Sequence, residues 1–349
     1  MARVSVVVLF FFVAKAFAQN GTLTLAELPK GVVQELIVML GGQKLSETVE
    51  CVDPIPSDVD FLLYTWDNTA DPVVLDPANP LKLDSNKRLI VIIHGWVQGT
   101  RGYGMQEVKD AYLFRYDANV VIVNWGRLAF DLYNRAVCKL PKVAKIVTDF
   151  LCLLGQRSDI NLEAVHLVGH SLGGQMSGFI GQFSKLVCKQ TIGQITALDP
   201  AGPLYHNAPI NRRLDETDAN FVSVMHTNGG ILGYVSKCGH VDFFVNCGTL
   251  QPGCVIPKID LNYLVNINLL SVGCPHFRAM DLMVEAVRTN DFQGVPCDGC
   301  PLICPPIASF FKAKTIMGET TPKTARGGQF VVTNFKSPYA IKLQMGIGA

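Results

Sequence analysis

The segment VGHSLGG at 168–174 sets a serine hydroxyl, Ser171, among glycines directly after the apolar run 165–168. A strand that turns sharply into a helix holds such a hydroxyl clear of the sheet. Gly169 and Gly173 permit the crowded turn, and Gly174 lets the following helix pack closely. A serine hydroxyl is a weak nucleophile at its own pKa, so it needs a base within reach and an acid that orients the base. The bare G-x-S-x-G pattern also arises by chance; the preceding strand is what favours an activated nucleophile.

In a sheet of this kind the acid and then the base follow the serine in chain order. Asp199 comes as the apolar run 195–198 ends, and Pro200 stops the strand; the same Asp-Pro pair also suits a plain turn. Four histidines follow it: His206, His226, His240 and His276. His206 is too near Asp199 to cross easily to the serine. His226 stands at the end of the run 221–225, and His276 opens a helix with Pro275 in its first turn. Spacing leaves the choice of base open. Acyl transfer also needs N–H donors aimed at the oxyanion. Leu172, directly after the serine, supplies one, and Trp96, which follows the run 89–93 through His94 and Gly95, supplies the other.

The elements that must carry these residues are legible as patterns. Strands are predicted at 61–66, 89–93, 120–123, 165–168, 195–198 and 221–225, and helices at 142–155 and from 172 to about 183. Strands this apolar, separated by helix-length segments, predict an α/β fold with a mostly parallel sheet covered on both faces. An amphipathic helix at 32–40, closed by Gly41-Gly42, reads either as part of a propeptide or as an N-terminal packing helix. The expected organisation is a leader at 1–18, an N-terminal segment at 19–50 and one catalytic domain at 51–349.

The 349 residues are 49% hydrophobic and 17% charged, enough for a sizeable core, and the formal net charge of +1 gives no electrostatic case for a nucleic-acid partner. The leader reads as a secretory signal. Arg3 precedes the apolar stretch 4–14, and Ala16-Phe17-Ala18 is a cleavage signature before Gln19. That stretch is shorter than the roughly 20 residues that cross a bilayer, and no transmembrane segment is expected. Eleven cysteines fit an oxidising compartment, with most in disulfides and an odd one left over. Cys297, Cys300 and Cys304 have metal-like spacing without a second ligand pair, which favours disulfides over zinc. Asn20-Gly-Thr22 is a glycosylation sequon.

Four segments together, IIHGW at 92–96, GHSLGG at 169–174, LDPAGP at 198–203 and CPHFRA at 274–279, resemble the animal pancreatic-type lipase family. RRLDETDANFVSVMHTN at 212–228 and GHVDFF at 239–244 extend the likeness, and the tail from MGE at 317–319 onward resembles the short arthropod members. The resemblance implies an α/β-hydrolase fold with Ser171 as nucleophile, Asp199 as acid and His276 as base, which leaves His226 a structural role. It implies hydrolysis of acylglycerol or phospholipid esters at a lipid interface without an organic cofactor. Only 73 residues follow His276, so neither the family's C-terminal β-sandwich nor a colipase-type partner is expected. A lid is implied between Cys254 and Cys274, whose nineteen intervening residues are largely apolar. The short stretch 229–238 resembles phospholipase A1 members, whereas the lid length is intermediate. Asp215 and Asp218 match the carboxylates of a structural calcium site found in some members, although Ile210 replaces an acidic residue of that pattern. The contrasting expectation is a lipid-binding or yolk-type relative that keeps the fold without activity; such relatives usually lack a triad residue, and here all three are present.

Overall fold

The computed structural model describes residues 25–41, 44–45, 49–80, 83–254, 269–297, 299–300 and 313–341. The expected leader, the Asn20 sequon and the lid residues 255–268 lie outside the described residues. The strands are β1 (Asp60–Tyr64), β2 (Val73–Leu75), β3 (Arg88–Ile93), β4 (Ala118–Asn124), β5 (His166–His170), β6 (Ile192–Leu198), β7 (Ala219–His226), β8 (Val241–Val245), β9 (Gln293–Pro296), β10 (Thr315–Ile316) and β11 (Gly327–Val331). They form one sheet in the order β10-β9-β11-β8-β7-β6-β5-β3-β4-β1-β2. From β4 through β11 every neighbour is parallel, and antiparallel strands are added at both edges.

The period of two along each strand sends successive side chains to opposite faces, and both faces are apolar. In β3, Leu89, Val91 and Ile93 join one buried cluster while Ile90 and Ile92 join another. Helices α1 (Lys30–Leu40), α2 (Met105–Arg115), α3 (Tyr133–Ser158), α4 (Leu172–Val187) and α5 (Cys274–Thr289) cover the two faces. The first cluster takes side chains from α1, α3 and α4, and the second from α2 and α5. This parallel sheet between two helical layers is the α/β fold that the apolar strand pattern predicts, in the α/β-hydrolase form that the resemblance implies.

Several elements differ from the sequence expectation, each for a physical reason. Helix α3 begins at Tyr133 rather than 142 and continues through Pro141, where a helix would ordinarily break. Leu140, Val143 and Ala144 are all buried on the same face, and Cys138 is bridged to Cys51, so packing holds the helix across the proline. Helix α2 has no clean apolar period because Lys109 is itself buried, its ammonium 4.7 Å above the Tyr64 ring. Strand β8 contains the fully buried Asp242, whose charge hides the strand in a hydropathy pattern.

Disulfides join Cys51 to Cys138, Cys152 to Cys188 and Cys254 to Cys274, and Cys247 is also disulfide-bonded. The last of the three bridges fixes one end of the expected lid to the first residue of α5. Cys238 is a buried thiol. The Sγ of Cys300 lies 3.0 Å from that of Cys247 and 3.2 Å from that of Cys297.

Candidate active site

Ser171 stands between β5 and α4 with φ 57° and ψ −122°, a left-handed backbone that a residue with a Cβ adopts only under constraint. The constraint is visible. The Ser171 N–H donates to the carbonyl of Leu198 (3.1 Å), and its own carbonyl accepts from Ala201 (3.0 Å) and Gly174 (2.9 Å). The neighbouring glycines are dictated by space: a Cβ on Gly169 would lie 2.2 Å from the Gly173 carbonyl oxygen, and one on Gly173 would lie 2.1 Å from that of Ile93. The turn therefore lifts the hydroxyl out of the sheet as the motif predicts.

Asp199 follows β6 and is fully buried. Its Oδ1 accepts from the N–H groups of Thr227 (2.7 Å) and Asn228 (2.9 Å), leaving Oδ2 for Nδ1 of His276 at 2.5 Å. Gly233 backs the carboxylate so closely that a Cβ there would meet its oxygens at 2.5 and 2.6 Å. His276 sits in the first turn of α5, and its ring lines the same cleft as Ser171. No described residue takes up its Nε2. The structure thus brings Ser171, Asp199 and His276 to one end of the parallel strands, with Ser171 and His276 at the cleft and Asp199 buried against the imidazole.

His226 is placed elsewhere. Its ring is fully buried, stacked 4.5 Å from Phe244, and donates from Nε2 to Asp242 (2.8 Å) and from Nδ1 to the Tyr234 carbonyl (2.9 Å). His206 and His240 are likewise absent from the lining of the cleft.

Trp96 lies on the loop after β3, and Leu172 is the first residue of α4. Neither N–H donates to an acceptor among the described residues. Gly95 presses this loop against Ser171, since a Cβ on Gly95 would come within 2.7 Å of the Ser171 Cβ. Two positioning residues were not foreseen from the sequence. Gln98 Oε1 accepts from the Gly95 N–H at 2.8 Å and lies 2.8 Å from Nδ1 of His170, whose Nε2 is 3.2 Å from the His276 carbonyl. Burial and the nearby His276 hold His170 well below the usual imidazole pKa, so the ring is neutral with a single N–H, which only one of the two flanking oxygens, Gln98 Oε1 or the His276 carbonyl, can accept. The signal for His170 was its place inside the serine motif; Gln98 carries none. His94 is neutral for the same reason, pushed down to about 4 by burial, and accepts from the Trp125 N–H at 3.2 Å.

The Lipase family model matches residues 40–301, more than half of the chain and the whole of this constellation. The chain belongs to the Lipase family. Among curated relatives it is 37% identical over 246 residues to Lipase member H-A of Xenopus laevis, covering 68% of this chain and 51% of that protein. It is 33% identical to the hepatic triacylglycerol lipase of Mus musculus, covering 73% of this chain and 52% of that protein. It is 34% identical to phospholipase A1 member A of Mus musculus, covering 72% of this chain and 52% of that protein. The chain spans about half the length of the curated relatives it matches.

Within this lipase-family chain, the two carboxylates considered for calcium have other engagements. Asp218 Oδ2 accepts from the Asp215 N–H at 2.8 Å, Asp215 Oδ1 accepts from the Thr217 N–H at 3.2 Å, and Arg213 stands 3.5 Å from Asp215 Oδ2. Burial, opposed by that backbone bond, pushes Asp218 up to about 7. Calcium takes six to eight oxygen ligands. No group of three or more His, Cys, Asp or Glu that could hold a metal occurs among the described residues, so a calcium ion here would need backbone carbonyls beside the carboxylates of Asp215 and Asp218. Among the described residues no helix is long and apolar enough to cross a membrane.

Proposed function

We propose that this lipase-family protein is a secreted serine esterase that hydrolyses acylglycerol or phospholipid ester bonds through an acyl-enzyme. The observation that carries the proposal is the 2.5 Å contact between His276 Nδ1 and the buried Asp199, in a ring that shares a cleft with Ser171. Ser171 Oγ attacks the ester carbonyl carbon as its proton passes to Nε2 of His276. The N–H groups of Trp96 and Leu172 receive the developing oxyanion, a role worth about 2.7–4 kcal/mol for each donor. Asp199 holds the imidazole in the tautomer that leaves Nε2 as acceptor and stabilises the cation that forms. The ester C–O bond then breaks, and the Nε2 proton goes to the departing alcohol oxygen. A water molecule attacks the acyl-enzyme by the same route, its proton passing through His276 back to Ser171 Oγ, and the fatty acid leaves. No metal or organic cofactor enters these steps.

Secretion is supported by the leader pattern and by the disulfides. Both ester classes are retained because the relatives carry both names, and the chain's short loop at 229–238 packs back onto the acid, with Tyr234 N–H donating to the Pro200 carbonyl at 2.7 Å. The test is turnover of p-nitrophenyl butyrate, triolein emulsion and phosphatidylcholine vesicles by the wild type and Ser171→Ala. The variant should lose activity by a factor of about 10⁴ or more and escape labelling by an alkyl phosphonate. Undiminished turnover in Ser171→Ala would remove the triad, and a wild type inert to all three esters would favour a lipid-binding protein on this fold.

A further inference from the structure

Helix α1 lies before the span matched by the family model except for its last residue, Leu40, yet it reaches the cleft. Leu36 and Met39, one helical turn apart, line the same cleft as Ser171 and His276, together with Trp96, Val97, Tyr133 and Leu232. Spacing of i and i+3 puts both on one face. The same helix contributes Val32 and Val33, and Leu25 and Leu28 just before it, to the large cluster on that side of the sheet. Burial of several such side chains makes α1 an integral part of this layer rather than a loosely held flap.

Its seat is also fixed by polar contacts. The first turn of α3 lacks a side-chain cap of its own, and Glu35 supplies one from α1 by accepting from the Tyr133 N–H. A Cβ on Gly31 would stand 2.8 Å from Leu132, so glycine there lets α1 lie close against the start of α3. Tyr133, capped in this way, meets the Trp96 ring edge-on at 5.2 Å, and both rings line the cleft. What α1 brings to the cleft is hydrocarbon alone, a surface suited to an acyl chain and not to a headgroup.

We propose that α1 is a wall of the acyl-binding cleft and that Leu36 and Met39 set the acyl-chain length accepted at Ser171. This rests on the esterase reading above. The test compares kcat/KM for p-nitrophenyl butyrate and palmitate in the wild type, Leu36→Trp, Met39→Trp, Leu36→Ala and Met39→Ala, with thermal melts and binding of cis-parinaric acid measured on the same samples. Narrowing by tryptophan should lower the palmitate-to-butyrate ratio about tenfold, and truncation to alanine should raise it; parinarate binding should weaken in the tryptophan variants. A ratio unchanged in all four variants would overturn the proposal. So would a rise on both esters together, which would mark α1 as a plug, or a fall on both in step with lost melting temperature, which would mark it as scaffold. A wild type that hydrolyses neither ester but binds parinarate in a Leu36- and Met39-dependent manner would defeat the esterase reading and leave the acyl wall standing.

Discussion

Two histidine–aspartate pairs lie on adjoining strand ends of this sheet, and they are built alike. Asp199 takes one imidazole and the N–H groups of Thr227 and Asn228; Asp242 takes one imidazole and the N–H groups of Cys238 (3.0 Å) and Gly239 (3.2 Å). The difference is in the histidine. His276 gives one nitrogen to its acid and keeps the other at a cleft, whereas His226 gives both nitrogens to oxygen acceptors inside the protein. Burial alone would pull His226 down, but the hydrogen bond and charge of Asp242 outweigh it and leave the ring above its ordinary pKa. A ring whose two nitrogens are both committed as donors cannot accept a proton from a nucleophile, so an imidazole–carboxylate contact does not by itself make a base. The two pairs are also joined, since His226 immediately precedes the residues whose N–H groups hold Asp199.

That contrast predicts two different failures. Under the proposed mechanism His276→Ala should lower kcat/KM by about 10⁴–10⁶-fold, because its loss removes the base, and should lower the melting temperature as well, because the buried Asp199 loses its partner. His226→Ala should cost mainly stability. Removing one partner of a buried ion pair costs about 3–5 kcal/mol, and the folded fraction should lose only about tenfold in activity as Thr227 and Asn228 loosen their hold on Asp199. Melting curves with phosphonate titration of active sites separate the two. Equal losses of activity per active site in the two variants would dissolve the distinction.

A finer test moves the carboxylate without removing it. Gly233→Ala would place a methyl 2.5 Å from one oxygen of Asp199 and 2.6 Å from the other, so the carboxylate must shift while its charge remains. Misplacement on the order of 1 Å costs about 10²-fold in rate, and overpacking a buried site costs about 1–3 kcal/mol. The expected result is a kcat about 10–100-fold lower with KM nearly unchanged, measured on butyrate ester. Wild-type kcat would mean that the orientation of His276 does not depend on the seat of its acid.

Much of this was legible in the chain because the central strands are nearly pure hydrocarbon and the chemistry sits where they end. The runs in β3, β5, β6 and β7 are unmistakable, and Ser171, Asp199 and Trp96 each follow one. Three kinds of residue were hidden. Asp242 and Lys109 are charges inside buried elements, satisfied by partners that a hydropathy pattern does not show, so they erase the periodicity of β8 and α2. Pro141 suggests a break that packing overrides. Gln98 and Glu35 act through backbone N–H groups from loop and helix positions that carry no pattern. The choice between His226 and His276 was likewise unreadable from spacing, because it depends on which acceptors face each second nitrogen, and those come from Tyr234, Asp242 and the open cleft.

A third pair at the opposite end of the strands sharpens the comparison and gives the smallest expected effect. His166 Nδ1 stands 3.4 Å from Glu319, but Glu319 already has Arg88 at 2.6 Å and the Tyr112 hydroxyl at 2.7 Å. Burial pushes His166 down to about 4, so here the carboxylate is spent on a guanidinium and the imidazole stays neutral. Burial tends to raise Glu319, but the charge of Arg88 and the hydrogen bonds from Tyr112 and Arg88 outweigh it and hold its carboxyl below the ordinary 4.5. A depressed carboxyl contributes stability that is present above the unfolded value and lost as pH falls through the folded one. Glu319→Gln should therefore destabilise by about 1–3 kcal/mol at pH 7, leave active-site kinetics unchanged, and approach the wild-type melting temperature as pH is lowered below about 4.5. A gap between the two proteins that widened on acidification would mean that the ionised Glu319 is not what holds Arg88, and the grading of the three pairs by their competing cations would fail.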